Sequence, residues 1–212
     1  AIGRGPIGRV GGLPQSQAMD FLHTEPAAPL VSPDMIKGID ERIDANGDIL
    51  IPLNRNSALK TISGLVAAGA ESFAICLLWA FRNPRHEQQI AAIIQEIAPG
   101  IPVSLSHELS AKLNGPRRAL TALLNARLIG LIDRLLQRAQ SVLSDLGVNA
   151  PLMVVRGDGA LISLDQAREK PIETILSGPA ASIVGARWLT SSDNALVSDI
   201  GGTTTDIAVL RD

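Results

Sequence analysis

The residues whose types and spacing carry chemistry lie in Ala195–Asp212, ALVSDIGGTTTDIAVLRD. An apolar run, Ala195–Val197, ends at Asp199. Gly201 and Gly202 follow, then Thr203, Thr204 and Thr205, then Asp206 and a second apolar run, Ile207–Leu210. The pattern predicts strand, turn, strand, with an acid at each shoulder. Glycine reaches φ > 0 without steric cost, so Gly201 and Gly202 let successive N–H groups converge on one point. A concave array of N–H groups binds anions, and a backbone bare of side chains lets a phosphate come close. The hydroxyls of Thr203, Thr204 and Thr205 add donors. Asp199 and Asp206 repel a phosphate. They make sense beside one if Mg2+ sits between, held through water because that ion keeps much of its hydration shell. By composition alone, a plain hairpin with solvated turn formers is an equal alternative. The order Asp-x-Gly-Gly-Thr-Thr-Thr-Asp between two apolar runs is more specific than a turn requires.

His107 and Glu108 directly follow a predicted strand, Pro102–Ser106. The carboxyl ends of strands are where open α/β sheets bind ligands, so this pair is a candidate for substrate or metal, set against a structural loop histidine. His86-Glu87 does not make HExxH, because Ile90 stands where the second histidine belongs. Glu87 then reads as an acid favoured by the positive end of a helix. The GxGxxG-like spacing of Gly3, Gly5 and Gly8 has no strand before it and Pro6 inside it, which argues against a dinucleotide site. His23 lies in a Pro-rich stretch and carries no argument. Cys76 is the single cysteine, so no disulfide forms within the chain. It sits in the apolar run Ser72–Phe81 without an adjacent base and reads as a buried, inert thiol. Arg156-Gly157-Asp158-Gly159 reads as a tight turn.

Several elements must position these groups. Residues 1–33 are rich in Gly and Pro and read as a connecting segment. From Met35 a strand-like segment leads to Asn46-Gly47, a hairpin signal, and Asp48–Leu53 returns. Ser57–Ala68 has helical spacing and stops at Gly69. Ser72–Ala80 reads as a two-sided buried strand. Asn83-Pro84 starts a helix that reaches Ala98, with Pro99-Gly100 ending it. Pro116–Leu146 is the longest helical pattern, with a stripe of Leu120, Leu123, Leu124, Leu128, Leu131, Ile132, Leu135, Leu136, Val142 and Leu143, and Gly130 as a candidate break. Leu152–Val155 is a further strand, Pro171–Leu176 is extended, and Pro179–Leu189 is helical. The alternation predicts an α/β fold with a mostly parallel sheet and crossover helices. In Ser177–Leu189, Gly178, Ala180, Ala181, Ser182, Gly185 and Ala186 are small enough for another helix to pack closely, and Pro179 suits a helix start.

With 212 residues the chain can bury a sizeable core. The net charge of −2 gives no basic footprint, and aromatics at 2% with no Tyr remove base-stacking platforms, so nucleic acid is not an expected partner. The run around Cys76 is too short for a membrane span, so no membrane is expected either. No charged and then apolar leader opens the chain, and the expected location is cytoplasmic. Ala1 and Asp212 both look like cuts, so the expectation is an internal fragment of a longer polypeptide.

SDIGGTTTDIAVL resembles the second phosphate loop of the actin/Hsp70/sugar-kinase superfamily of ATPases, and SGPAASIVGARWL, Ser177–Leu189, resembles its first connecting helix. The pairing of ILSGPAAS-x-x-GA with DIGGTTTDI is most similar to the hydantoinase A/5-oxoprolinase family. ERIDANGDILIPL (Glu41–Leu53), Asn83-Pro84-Arg85-His86-Glu87, SLSHELS (Ser104–Ser110) and Thr121 with Leu124-Asn125-Ala126 add to it, over about Asp34 to Asp212. The resemblance implies a ribonuclease-H/actin-like ATPase domain portion with a smaller α/β lobe: a connecting segment at 1–33, the lobe at 34–165, and the start of the ATPase domain at 166–212. It implies ATP-dependent opening of a small cyclic amide, a hydantoin or 5-oxoproline, through phosphorylation of the carbonyl oxygen. Gly201, Gly202, Thr203, Thr204 and Thr205 would line the phosphates; Asp199 would orient the metal or water, and Asp206 would support the Mg2+ shell. Ser177, Gly178 and Pro179 would open a hinge helix. A second subunit of the hydantoinase B type is an implied partner. An acetone-type carboxylase subunit and a non-catalytic nucleotide-binding module are the alternatives. Two departures stand: Gly178 occupies the place where Hsp70-like members often put a metal-linked Glu, and neither a first phosphate hairpin nor an adenosine motif occurs in the chain.

Overall fold

Two units divide the chain, Ala1–Arg127 and Leu128–Asp212, and the computed structural model describes residues 30–211. Most of the 1–33 segment, the Gly3–Gly8 spacing and His23 lie outside the described residues.

In the first unit a 3-10 turn, Pro33–Met35, precedes β1 (Arg42–Ile43) and β2 (Ile49–Ile51), which pair antiparallel. The Asn-Gly signal holds. Asp44 Oδ1 accepts from the N–H groups of Asn46 and Asp48, each at 2.9 Å. Gly47 takes φ of 95°, a region that side chains rarely enter. Helix α1 (Arg55–Ala67) is capped by Asn54, whose Oδ1 accepts from Ser57 N–H at 3.1 Å, a bond worth about 1 kcal/mol.

A βαβ unit follows: β3 (Phe73–Ile75), α2 (Arg85–Ile97) and β4 (Val103–Leu105), with β3 and β4 parallel and Ile75 opposite Leu105. Ile90, Ile93 and Ile94 of α2 join Ala58 and Ile62 of α1 and Phe73, Ile75 and Leu105 of the strands in one buried cluster. The strand predicted over Ser72–Ala80 is much shorter. The chain leaves the extended conformation after Ile75, Trp79 takes φ of 60°, and Arg82 N–H closes a turn on Trp79 O at 2.8 Å. Leu77 and Ala80 are buried all the same. An apolar run records burial, and it does not tell a strand from a buried turn.

Helix α3 (Ser106–Leu109) follows β4 directly, and α4 (Gly115–Asp145) contains the boundary between the units. Gly130 does not interrupt it; one glycine costs a long helix about 1 kcal/mol. The predicted leucine stripe is not its most buried face. Arg118, Ala122, Asn125 and Ala126 are buried near its start, whereas Leu131, Leu135 and Val142 are more than half exposed.

In the second unit β5 (Met153–Val155) and β6 (Leu161–Ser163) form an antiparallel hairpin. Helix α5 (Leu164–Glu169) starts with a capping box between Ser163 and Gln166. Leu136, Ile162, Leu164 and Ala167 are the buried cluster here. The segment expected to be extended, Pro171–Leu176, instead begins with a 3-10 turn, Pro171–Thr174. The fixed φ of proline serves a helical first turn as well as an extended chain. Helix α6 (Ser177–Thr190) then leads to β7 (Ala195–Ile200) and β8 (Thr205–Leu210), antiparallel.

The α/β class holds. The mostly parallel sheet does not: the described strands form four two-stranded sheets, and only β3–β4 is parallel. Turn signals at Asn46-Gly47, Gly157–Gly159 and Gly201-Gly202 join neighbours directly as hairpins, whereas a parallel pair needs a crossover such as α2. Among the described residues no helix is long and apolar enough to cross a membrane.

Candidate functional site

The β7–β8 hairpin places Asp199 directly opposite Asp206 and Ile200 opposite Thr205. Paired residues share a face, so the two carboxylates sit side by side at the base of the tip. Like charges in that register destabilise a sheet unless something offsets them. The tip, Gly201, Gly202, Thr203 and Thr204, is exposed. It is closed by Gly201 N–H donating to Thr204 O at 2.9 Å. Neither glycine uses φ > 0. Their contribution is bare backbone: a Cβ at Gly202 would meet nothing within 4 Å, and one at Gly201 would meet Thr204 O at 3.2 Å. The donor set of carboxylates, hydroxyls and open backbone fits a hydrated Mg2+ beside a phosphate chain.

Helix α6 reaches this hairpin. Ser182 Oγ donates to Asp199 Oδ2 at 2.6 Å, which orients one carboxylate and leaves Asp206 exposed. Ser182 counts in the sequence only as a small helix residue, and nothing local links it to Asp199. Ser177, Gly178 and Pro179 form the first turn of α6, entered through Leu176 at φ 61°. The proline stands where the N–H lacks an intrahelical partner anyway. Outside the local backbone of α6, a Cβ built at Gly178 or Gly185 would meet nothing within 4 Å among the described residues. The Arg156–Gly159 turn packs closely: a Cβ at Gly157 would lie 2.5 Å from Ile175 O, and one at Gly159 would lie 2.7 Å from Val184 Cγ2 on α6. Arg156 bonds Asp158, with Nε donating to Oδ1 at 2.9 Å, and its guanidinium holds that carboxyl well below the usual carboxylate range.

The first unit holds a second polar cluster at the carboxyl ends of β3 and β4. His107 does not pair with Glu108, which is exposed. Its Nδ1 lies 2.7 Å from Glu87 Oε2. Glu87 also accepts from Ser106 Oγ at 2.7 Å, Leu77 N–H at 2.9 Å and His107 N–H at 3.2 Å. Arg118 closes the cluster, with Nη2 donating to Leu77 O at 2.6 Å and Nε to Ser106 Oγ at 3.4 Å. Its guanidinium lies 5.1 Å from the Phe81 ring centroid, within cation–π range. Cys76, one residue past β3, is half-buried, and burial pushes its thiol up. A second pair, His86 Nδ1 and Glu41 Oε2 at 2.7 Å, is buried on both sides. Among the described residues no three His, Cys, Asp or Glu side chains converge as a metal site.

A signal for these pairs exists in the sequence. Glu87, Ile90 and Ile94 are spaced i, i+3, i+7, and His86, Ile90 and Ile93 are spaced i, i+4, i+7. Both polar residues therefore ride the buried stripe of α2, and buried charge requires a partner.

The sequence pattern described as hydantoinase/oxoprolinase matches residues 118–212, and that described as the hydantoinase/oxoprolinase N-terminal region matches residues 11–98. The acetophenone carboxylase gamma subunit of Aromatoleum aromaticum is 28% identical over 86% of this chain and 26% of its own length. The 5-oxoprolinase of Saccharomyces cerevisiae is 29% identical over 73% of this chain and 12% of its own. The crystal structure of an ATP-dependent caprolactamase from Pseudomonas jessenii superposes with a TM-score of 0.78 at 28% identity, covering 88% of this chain and 27% of that one. The chain thus spans about a quarter or less of the length of these relatives.

Proposed function

Because the chain belongs to the hydantoinase/oxoprolinase family, we propose that it is the phosphate-handling part of an ATP-dependent enzyme that opens a small cyclic amide. The observation that carries this reading is the register of Asp199 against Asp206 at the base of an exposed Gly-Gly-Thr-Thr tip. Amide resonance makes the ring C–N bond a poor target for water. Transfer of the γ-phosphoryl group of ATP to the carbonyl oxygen makes the ring carbon electrophilic. What the protein contributes is positioning and charge stabilisation. Backbone N–H groups at Gly201 and Gly202 and the hydroxyls of Thr203, Thr204 and Thr205 would hold the phosphates. Asp199, oriented by Ser182, and Asp206 would hold Mg2+ through water, and that ion would offset the phosphate charge. Ser177, Gly178 and Pro179 would begin a hinge helix, and a cytoplasmic enzyme with a second subunit of the hydantoinase B type completes the reading.

In the full-length protein, Asp199→Ala is expected to abolish Mg2+-dependent ATP turnover stimulated by a hydantoin or by 5-oxoproline. Retained turnover would sink the role given to Asp199. A carboxylase subunit is the second reading, favoured by the likeness to an acetophenone carboxylase subunit. ATP use that requires bicarbonate and a ketone, with none on ring amides, would select it. Binding of ATP and ADP without any hydrolysis would select a non-catalytic module, for which Gly178 is the motive.

A further inference from the structure

A cavity of about 250 Å3 opens within the first unit, between β2 and the start of α2. Ile49, Pro52 and Leu53 line one side of it, and Arg85, His86 and Gln89 line the other. One wall is apolar and the other polar. Pockets for drug-sized ligands begin at roughly 300 Å3, so this one suits a short molecule with a polar end and a hydrocarbon end.

His86 decides what the polar wall offers. Its side chain is 2% exposed, and its Nδ1 lies 2.7 Å from Oε2 of Glu41, which is 1% exposed. A buried ionisable pair costs least when its net charge is zero. Two arrangements meet that condition: an imidazolium beside a carboxylate, and a neutral imidazole beside a carboxylic acid. The first carries hydrogen on both ring nitrogens. In the second the acid O–H donates to Nδ1, which leaves the ring hydrogen on Nε2. Nε2 is a donor in both. It has no hydrogen-bond partner among the described residues, yet it is not sealed from solvent. Its outlet is the cavity that the ring lines. The groups beside it have the same polarity. The Arg85 guanidinium is exposed and forms no ion pair among the described residues. Gln89, one turn further along α2, adds amide donors. Pro84, the N-cap of α2, supplies no capping side chain, and the positive end of a helix favours an anion.

We propose that this cavity binds a short aliphatic carboxylate. Arg85 and the Nε2–H of His86 hold its charged end, and Ile49, Pro52 and Leu53 cover its hydrocarbon end. Glu41 is the positioning residue, because it fixes the imidazole by the opposite nitrogen. The apolar wall selects a carboxylate over inorganic phosphate, which has no hydrocarbon to remove from water. The site uses neither the hairpin of the second unit nor ATP, so it stands independently of the ring-opening reading.

The test uses the full-length protein labelled with 15N-histidine and titrated with acetate, butyrate, butylamine and inorganic phosphate. The free protein is expected to carry hydrogen on Nε2 of His86, and butyrate should shift that resonance to saturation. Each methylene removed from water tightens binding about fourfold, so butyrate should bind roughly tenfold more tightly than acetate. Butylamine should leave the resonance in place. Arg85→Gln should weaken butyrate binding about tenfold or more, and Gln89→Glu should weaken it about fivefold through repulsion. Both positions are exposed, so the melting temperature should not change. A bare Nε2, no saturable shift with butyrate, or an equal response to butylamine overturns the site. Butyrate binding that is unaltered in both variants overturns it as well. Phosphate binding tighter than butyrate overturns the choice of a carboxylate.

Discussion

The polar groups around Glu87 and those around Asp199 and Asp206 are held in opposite ways. Glu87 is fully buried and receives four hydrogen bonds from three residues that follow two different strands. Asp199 has one side-chain bond, from Ser182, and Asp206 stands exposed across from it. The difference is one of commitment. A buried carboxylate with every lone pair occupied is part of the fold, and only the histidine at its edge retains spare capacity. A pair of like charges on an exposed hairpin faces solvent, and its capacity is open to an incoming cation.

Glu87→Ala has the largest expected effect on that contrast. It removes the acceptor for Leu77 N–H, Ser106 and His107 together, and should cost about 3–5 kcal/mol in denaturant melts. A loss as small as that of a surface substitution would erase the difference between the two sets of acids. Gly157→Ala comes next, because its Cβ would sit 2.5 Å from the backbone oxygen of Ile175. Forcing backbone apart there should cost about 1–3 kcal/mol in the same measurement, which would show that the turn beside α6 is a packed joint. Ser182→Ala should cost only about 1 kcal/mol, yet lower ATP turnover of the full-length enzyme, sharpening the view that Ser182 serves the orientation of Asp199 more than the fold. Arg156→Ala should change stability least. Asp158 is depressed chiefly by hydrogen bonds from Arg156, then by that from Ala160 N–H. A depressed acid stabilises above its unfolded value, about pH 4, and the gain is lost as pH falls through the folded one. Both groups are solvated, so this substitution should leave the neutral-pH melt unchanged and raise the Asp158 titration seen by NMR toward the ordinary carboxylate range.

Legibility in the sequence tracked how local each feature is. The hairpin over Ala195–Leu210 is readable because turn and strands are contiguous and their register follows from the tip. Helices α1, α2 and α4 begin and end within two residues of their expected limits, since caps and breakers are local. The short strand Phe73–Ile75 is misread as longer because Leu77 and Ala80 are buried in the irregular chain and turn that follow it. The parallel sheet is over-predicted because alternation of elements does not state which strands pair. At the candidate site, the acids, glycines and threonines of the tip are visible in order, whereas Ser182 is not.

The amino-acid sequence by itself determined the α/β class, the family, and the hairpin with its facing acids, because each depends on residues a few positions apart. Only the tertiary structure decided that His107 pairs with Glu87 across 20 positions rather than with adjacent Glu108, and that Ser182 reaches Asp199 across 17. Adjacent residues on a short helix point in different directions, and a side chain can meet only what packing brings within 3 Å. Burial of the α2 stripe brings Glu87 to the ends of β3 and β4, where the need for a partner selects the histidine that lies there.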